Sequence, residues 1–300
     1  MSGAGATRLP VDARAFAIML VLCVLWGLQQ VAVKSIIGAI TPLMQGAIRS
    51  GIAVVLLAAW MRHRRIAIFA DGGTLRPGLL VGALFGIEFV CIYLGLQYTN
   101  ASRMSVFVYL APPLTALGVH LFVPGEHLAP RQWIGIALAF LGIVVAFSDG
   151  FFAAHGDTAL GDLLGIFAAI LWATTTVLIR SSTLSNAAAE KTLLYQLGMA
   201  TLLLFVASKA LGEAGVVALT TGAIASLAFQ SVIVAFASFL AWFWLLTRYL
   251  AARLSVFSFL APLFGVIAGV VVLGEPLRPL FALAAALVVA GIVLVNLRER

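Results

Sequence analysis

The sequence predicts an all-α integral membrane protein, with ten transmembrane helices arranged as two inverted five-helix repeats around a central cavity. Two observations carry this expectation. Apolar residues make up 63% of the 300 and charged residues only 10%, against ~25% charged residues in a typical soluble domain. The chain therefore lacks the polar surface needed to face water around a core of its size. In addition, a motif beginning at Ala101 returns at Ala251, half a chain later.

An α-helix rises 1.5 Å per residue, so ~20 apolar residues cross a bilayer. Runs of that size lie at 15–37, 43–61, 77–97, 102–123, 131–148, 160–180, 192–211, 222–246, 252–273 and 277–297. Between them stand helix breakers: Thr41-Pro42, Asp71-Gly72-Gly73, Pro124-Gly125 and the polar stretch from Asp149 to Asp157. Ten spans use roughly 200 residues, which leaves no room for a soluble catalytic or nucleotide-binding domain. The first run follows Arg8 and Arg14 and is longer than a signal-peptide core, so it reads as an uncleaved helix. Cys23 and Cys91 both fall inside runs, which argues against a disulfide framework.

The net charge of +7 is not a nucleic-acid footprint, because the basic residues sit between apolar runs, as Arg62, Arg64, Arg65 and Arg76 do. That is how topology signals are placed. With the N-terminus in the cytoplasm, one side of the membrane receives Arg8, Arg14, Arg131, Arg180, Lys191, Arg248, Arg253, Arg298 and Arg300 together with those four. The other receives Lys34, Arg103, Lys209 and Arg278. Both termini are expected in the cytoplasm, and the chain in a bacterial inner membrane.

The repeat is specific. Ala101 to Leu114 reads ASRMSVFVYLAPPL and Ala251 to Phe264 reads AARLSVFSFLAPLF, with eight of fourteen positions identical. Gly125-Glu126 is answered by Gly274-Glu275, and Leu25-Trp26 with Lys34-Ser35 by Leu171-Trp172 with Arg180-Ser181. The halves are thus 1–150 and 151–300. Five helices being odd, the second half enters the membrane from the opposite side. Inverted pairs of this kind enclose solute sites near mid-membrane and exchange between inward-open and outward-open states. Transport is the expected activity, and the lipid bilayer and a small-molecule substrate the expected partners.

Polar groups at mid-span cost free energy unless they are paired or face water, so they are the informative residues. Trp26, Gln29, Gln30 and Val33 share one face of the first span at three-and-four spacing. Trp172, Thr175, Thr176 and Ile179 occupy the matching face of the sixth. Each set either lines a cavity or bonds across a packed helix interface. Glu88 is the carboxylate near the centre of a span, a candidate for solute contact or proton coupling, or else a protonated acid bonded to a neighbouring helix. Its counterpart is Ser238, which seven-and-eleven spacing places with Ser231 and Trp242. Arg49, whose counterpart is Gln196, either snorkels to the outer interface or pairs with helix ends or Glu88; a structural role is favoured. Pro112, Pro113 and Pro262 fall near the middle of the fourth and ninth spans, where a proline removes a donor and displaces the carbonyl around Val108, Tyr109 and Ser258. Interrupted helices at matching positions are pointers to a transporter's site and supply candidate hinges. The candidate substrate contacts are therefore Trp26, Gln29, Gln30, Glu88, Tyr109, Trp172, Thr175, Thr176, Ser238 and Trp242.

Enzyme signatures are missing. The sequence holds no Walker A loop, no HExxH and no buried aspartate pair, and His63, His120, His127 and His155 lack metal-ligand spacing. No catalytic residue, metal or cofactor is expected.

At Trp26-Gly27, Lys34, Arg49, Pro112, Pro262, Gly125-Glu126, Gly274-Glu275-Pro276 and Gln132 with Gly135 and Gly142, the chain resembles the drug/metabolite transporter superfamily in its EamA-type form. Within it, the chain is most similar to the YddG-type aromatic amino-acid exporters. The resemblance covers nearly the whole chain. It implies a ten-helix basket whose cavity is lined by the first, third, fourth, sixth, eighth and ninth helices, and export from the cytoplasm. Ala173 in place of Gly27 and Gln196 in place of Arg49 depart from the pattern in the second half, so the halves need not contribute equally. The expected substrates are amino acids, aromatic and other apolar ones favoured, carried by a monomer or weak homodimer. The alternatives are a broad drug, metabolite or nucleobase exporter and, from another class, an intramembrane lipid-modifying enzyme.

Overall fold

The structure is a computed structural model that describes residues 9–67, 73–152, 158–274 and 279–297. Glu275, Pro276 and Arg278, the loop around Gly156 with His155 and Asp157, Asp71-Gly72, and Arg8, Arg298 and Arg300 lie outside the described residues. The helices are α1 (Ala13–Ser35), α2 (Pro42–His63), α3 (Leu75–Gly95), α4 (Ala101–Phe122), α5 (Pro130–Phe152), α6 (Ala159–Ser181), α7 (Ala189–Ala210), α8 (Thr221–Arg248), α9 (Ala251–Val272) and α10 (Phe281–Asn296). Among the described residues, nine are long and apolar enough to span a bilayer, and α10 is a shorter apolar helix. The chain is a multi-pass membrane protein, and the expected spans coincide with these helices to within a turn or so.

Local chemistry sets the helix ends. Asp12 Oδ1 accepts from Ala15 N at 2.7 Å, a side-chain cap that also holds the Asp12 carboxyl below the ordinary carboxylate range. Asn100 and Thr220 cap α4 and α8 the same way, through Arg103 N at 2.9 Å and Ala223 N at 3.1 Å. Pro42 opens α2, where its missing N–H would have no helical partner in any case.

Large apolar side chains cover the outside as well as the core. Val55, Phe122, Leu163 and Val271 are exposed, while Met19, Leu57, Ile143, Leu193 and Phe257 are buried. A water-soluble protein does not display so much apolar surface, whereas lipid tails accept it. Packing runs mostly between the first five helices and the last five: α5 against α10, α3 against α6 and α7, α2 against α7 and α8, α1 against α8 and α9, and α4 against α6. With little hydrophobic effect between helices in lipid, close approach supplies the attraction. At the α5–α10 seam a Cβ on Gly135 would stand 2.8 Å from Gly291 O, so glycine lets the two backbones touch.

Two helices depart from regularity where prolines were found. α4 is two pieces, Ala101–Val108 and Ala111–Phe122, and Pro112 lies in the first turn of the second. In α9 the segment Val256–Phe259 is a 3-10 helix, and Pro262 follows just after the α-helix restarts at Leu260. The displaced carbonyls therefore fall where expected. The prolines themselves stand at restarts and not inside continuous helix. A third irregularity corrects the expectation for α8, whose middle, Phe229–Ser238, is π-helical. Its i→i+5 ladder changes the angle per residue; Ser238 and Trp242 both meet Trp26, while Ser231 bonds back to Leu227 O.

Candidate functional site

A cavity of about 280 Å³ lies among α1, α3, α4, α6, α7 and α8. The family resemblance implied α9 and omitted α7; here the wall uses Gln196 of α7, and no α9 residue lines it. Trp26, Gln29, Gln30, Glu88, Tyr109, Trp172, Thr175, Thr176 and Trp242 all line this space, so nine of the ten sequence candidates converge. Ser238 stands one layer back. Its hydroxyl accepts from Trp26 Nε1 at 3.0 Å and donates to Val234 O at 2.6 Å. That bond answers how an indole N–H can sit deep in a membrane protein: a neighbouring helix satisfies it. Val33 is off the wall, and Ser231 is tied to Leu227 O at 2.6 Å, away from the cavity.

Aromatic rings frame the space. Trp26 meets Trp242 edge-on with centroids 5.8 Å apart, and Tyr109 meets Trp172 at 6.3 Å. Sequence reasoning missed Phe85, Phe89 and Ile92, which continue the Glu88 face of α3 at three-and-four spacing, as well as Phe239 and Phe243 of α8. The spacing around Glu88 was the available signal. Apolar residues on a membrane helix look alike whether they face lipid or a cavity.

Arg49 does not reach the outer interface. It is 1% exposed, with its guanidinium 4.8 Å from the centre of the Phe89 ring. Glu88, 5% exposed, is within its electrostatic reach. Nε and Nη1 of Arg49 have no hydrogen-bond partner among the described residues. Cys23 and Cys91 are buried and free, as expected. His120 and His127, read as scattered, meet edge-to-face with ring centroids 5.2 Å apart, and His120 Nδ1 accepts from Leu128 N at 2.8 Å. Among the described residues no group of three or more metal-ligating side chains occurs.

The two ends of the cavity differ. Gln30, Leu96 and Ala101 line one end and are exposed, whereas Gln196, Ile179, Phe243 and Leu246 line the other and are buried. Directly beyond the buried end lies a polar clasp that sequence reasoning did not foresee. Arg180 Nε donates to Glu126 Oε1 at 2.6 Å, and Nη2 donates to the same oxygen. Arg180 Nη1 donates to Leu246 O at 2.9 Å, and Ala251 N donates to Glu126 Oε2 at 2.8 Å. One carboxylate thus joins the loop after α4 to the end of α6 and the start of α9. At the open end, Arg103 binds Asp162 through Nε at 3.0 Å and Phe151 O through Nη1 at 3.0 Å, beside the mouth.

Similarity to known proteins agrees with this geometry. The model of the EamA-like transporter family matches residues 14–148 and again 159–297. The chain belongs to the EamA-like transporter family. A probable amino-acid metabolite efflux pump of Escherichia coli is 26% identical over 287 residues, covering 91% of each chain. An uncharacterized transporter of Archaeoglobus fulgidus is 28% identical over 253 residues, covering 83% of this chain and 85% of the relative. A solved crystal structure superposes with TM-score 0.80 over 96% of this chain and 99% of its own, at 23% identity, which establishes the fold. Like its relatives, this EamA-like protein is a membrane transporter.

Proposed function

We propose that the protein exports amino acids or closely related metabolites from the cytoplasm by alternating access, aromatic and other apolar side chains being favoured. The carrying observation is the cavity: about 280 Å³, framed by tryptophan, tyrosine and phenylalanine, holding Glu88 and several amides and hydroxyls, open at one end and sealed at the other. Its volume is at the low end of small-molecule sites, which run from ~300 to 1,000 Å³, and so suits an amino acid better than a bulky drug. The name of the Escherichia coli relative points the same way.

Alternating access rests on the two halves, 1–150 and 151–300, being an inverted repeat. The double family match supports this. So do the helix contacts: exchanging each helix with the one five later turns α1–α9 into α6–α4, and α3–α6 into α8–α1, and all four pairs occur. The basic-residue asymmetry supports a cytoplasmic position for Arg180 and both termini, and with it a cavity that opens outward. Reporter fusions at residue 300 and in the loop at Gly156 are expected to give opposite signals; equal signals remove the inverted arrangement. Counterflow of labelled amino acids in proteoliposomes, screened across the twenty, tests the substrate class, and no exchange of any of them overturns it.

A further inference from the structure

The cavity carries an acid and no cation. Among the described residues that line it there is one carboxylate, Glu88, and no lysine, arginine or histidine. Arg49 acts on Glu88 through its charge but lies behind the wall, stacked on the Phe89 ring. A ligand carboxylate would have to displace that ring to reach it. Inside the cavity it meets neutral donors and a fixed acid, an unfavourable trade for a group leaving water.

A ligand ammonium meets the opposite conditions. Glu88 presents a carboxyl group to the space, and Gln29 and Gln30 line it with amides whose oxygens can accept from an ammonium. The rings of Trp26 and Trp172 add the π surface that attracts cations once water is excluded. The Glu88 carboxyl supplies an acceptor that can take the opposite charge once a cation is beside it.

We propose that the cavity recognises the ammonium group of its substrate and not the carboxylate, so that decarboxylated, amidated or esterified forms of aromatic and apolar amino acids bind ahead of the free zwitterions. This rests on the amino-acid reading above and narrows it. Glu88 is the specificity-determining group.

The test is equilibrium binding of four ligands to the purified full chain by calorimetry: L-tryptophan, L-tryptophanamide, tryptamine and indole-3-propionate. The amide and tryptamine are expected to bind at least about tenfold tighter than tryptophan, and the deaminated acid weakest of all. Glu88→Gln is expected to abolish the preference for amide over acid, and Glu88→Asp to retain it. Tryptophan binding as tightly as its amide overturns the inference and brings Arg49 into the site, while leaving the amino-acid reading intact. Should none of the four bind, the inference falls, while the amino-acid reading is decided by the counterflow screen. The wild-type ligand series decides the matter even where a Glu88 variant does not fold.

Discussion

The sealed end of the cavity and its open end carry related sequence in different states. At the sealed end, Ala251 begins the AARLSVFSFLAPLF motif, and its N–H is held by Glu126, which also grips Arg180. At the open end, Ala101 begins the matching ASRMSVFVYLAPPL motif and lines the mouth. The sequence counterparts of Glu126 and Arg180 there are Glu275, outside the described residues, and Lys34. If the halves are an inverted repeat, the clasp has two possible addresses, and each state of the transporter fills one. A buried ion pair is poor at adding net stability but costly to break singly. Those properties suit a latch: it fixes which end is shut without locking the protein there.

The largest expected effect follows from cutting the latch. Glu126→Ala leaves Arg180, 8% exposed, without its carboxylate in the closed-floor state, a loss of ~3–5 kcal/mol for a buried pair broken on one side. The population then moves toward the conformation in which that floor is open, where water can solvate the guanidinium. A single cysteine at Ile179 is expected to become reactive to hydrophilic thiol reagents applied from the side on which Arg180 lies, and exchange of substrate to fall by about two orders of magnitude. A floor that stays unreactive in a variant still transporting at the wild-type rate would remove the clasp from the gating scheme.

A second, smaller effect compares depth along one cavity. Gln30 is exposed at the mouth, and Thr176 is 4% exposed further in. In a chain lacking Cys23 and Cys91, Gln30→Cys should react with a hydrophilic reagent from the outer face at least about tenfold faster than Thr176→Cys, and bound substrate should slow both. Equal rates at the two positions would mean that the space is reached from both ends, or through the side of the bundle.

What the sequence disclosed, and what it hid, divides along the same line. Helix extents were legible because crossing a bilayer imposes a length and a composition on every span. The Trp26 and Trp172 faces were legible because a polar group inside a membrane helix must have a partner or a cavity, so its position alone is informative. The clasp was hidden since Glu126 and Arg180 are 54 residues apart, and Glu126 and Ala251 are 125 apart; each alone looks like an ordinary loop charge. That Ser238 stands behind Trp26 was hidden because the bond joining them spans 212 residues of sequence. Phe85 and Phe243 were missed because the hydrophobic pattern of a membrane helix does not distinguish lipid from cavity.

The smallest expected effect contrasts the two interrupted helices themselves. In α9 the interruption is a 3-10 segment, Val256–Phe259, that runs straight into the helix holding Pro262. Giving position 262 an N–H through Pro262→Ala lets the turn after Ser258 close with little rearrangement, since the backbone is already helical there. In α4 the break at Tyr109 and Leu110 is wider, and Tyr109 is held by Trp172 and by Phe259 at ring-centroid distances of 6.3 Å each. An N–H at position 112 would face Val108 O across the Tyr109–Leu110 break, and Pro113 beside it still lacks a donor, so Pro112→Ala should leave the break in place. If bending at these points connects the two states, Pro262→Ala slows exchange several-fold with ligand affinity nearly unchanged, because what is lost is interconversion and not binding. Pro112→Ala slows it less. Measuring exchange rate and binding constant on each purified variant separates the possibilities. Wild-type rates in both would make the prolines packing kinks and move the hinge elsewhere, with the π-helical centre of α8 the next irregularity to test.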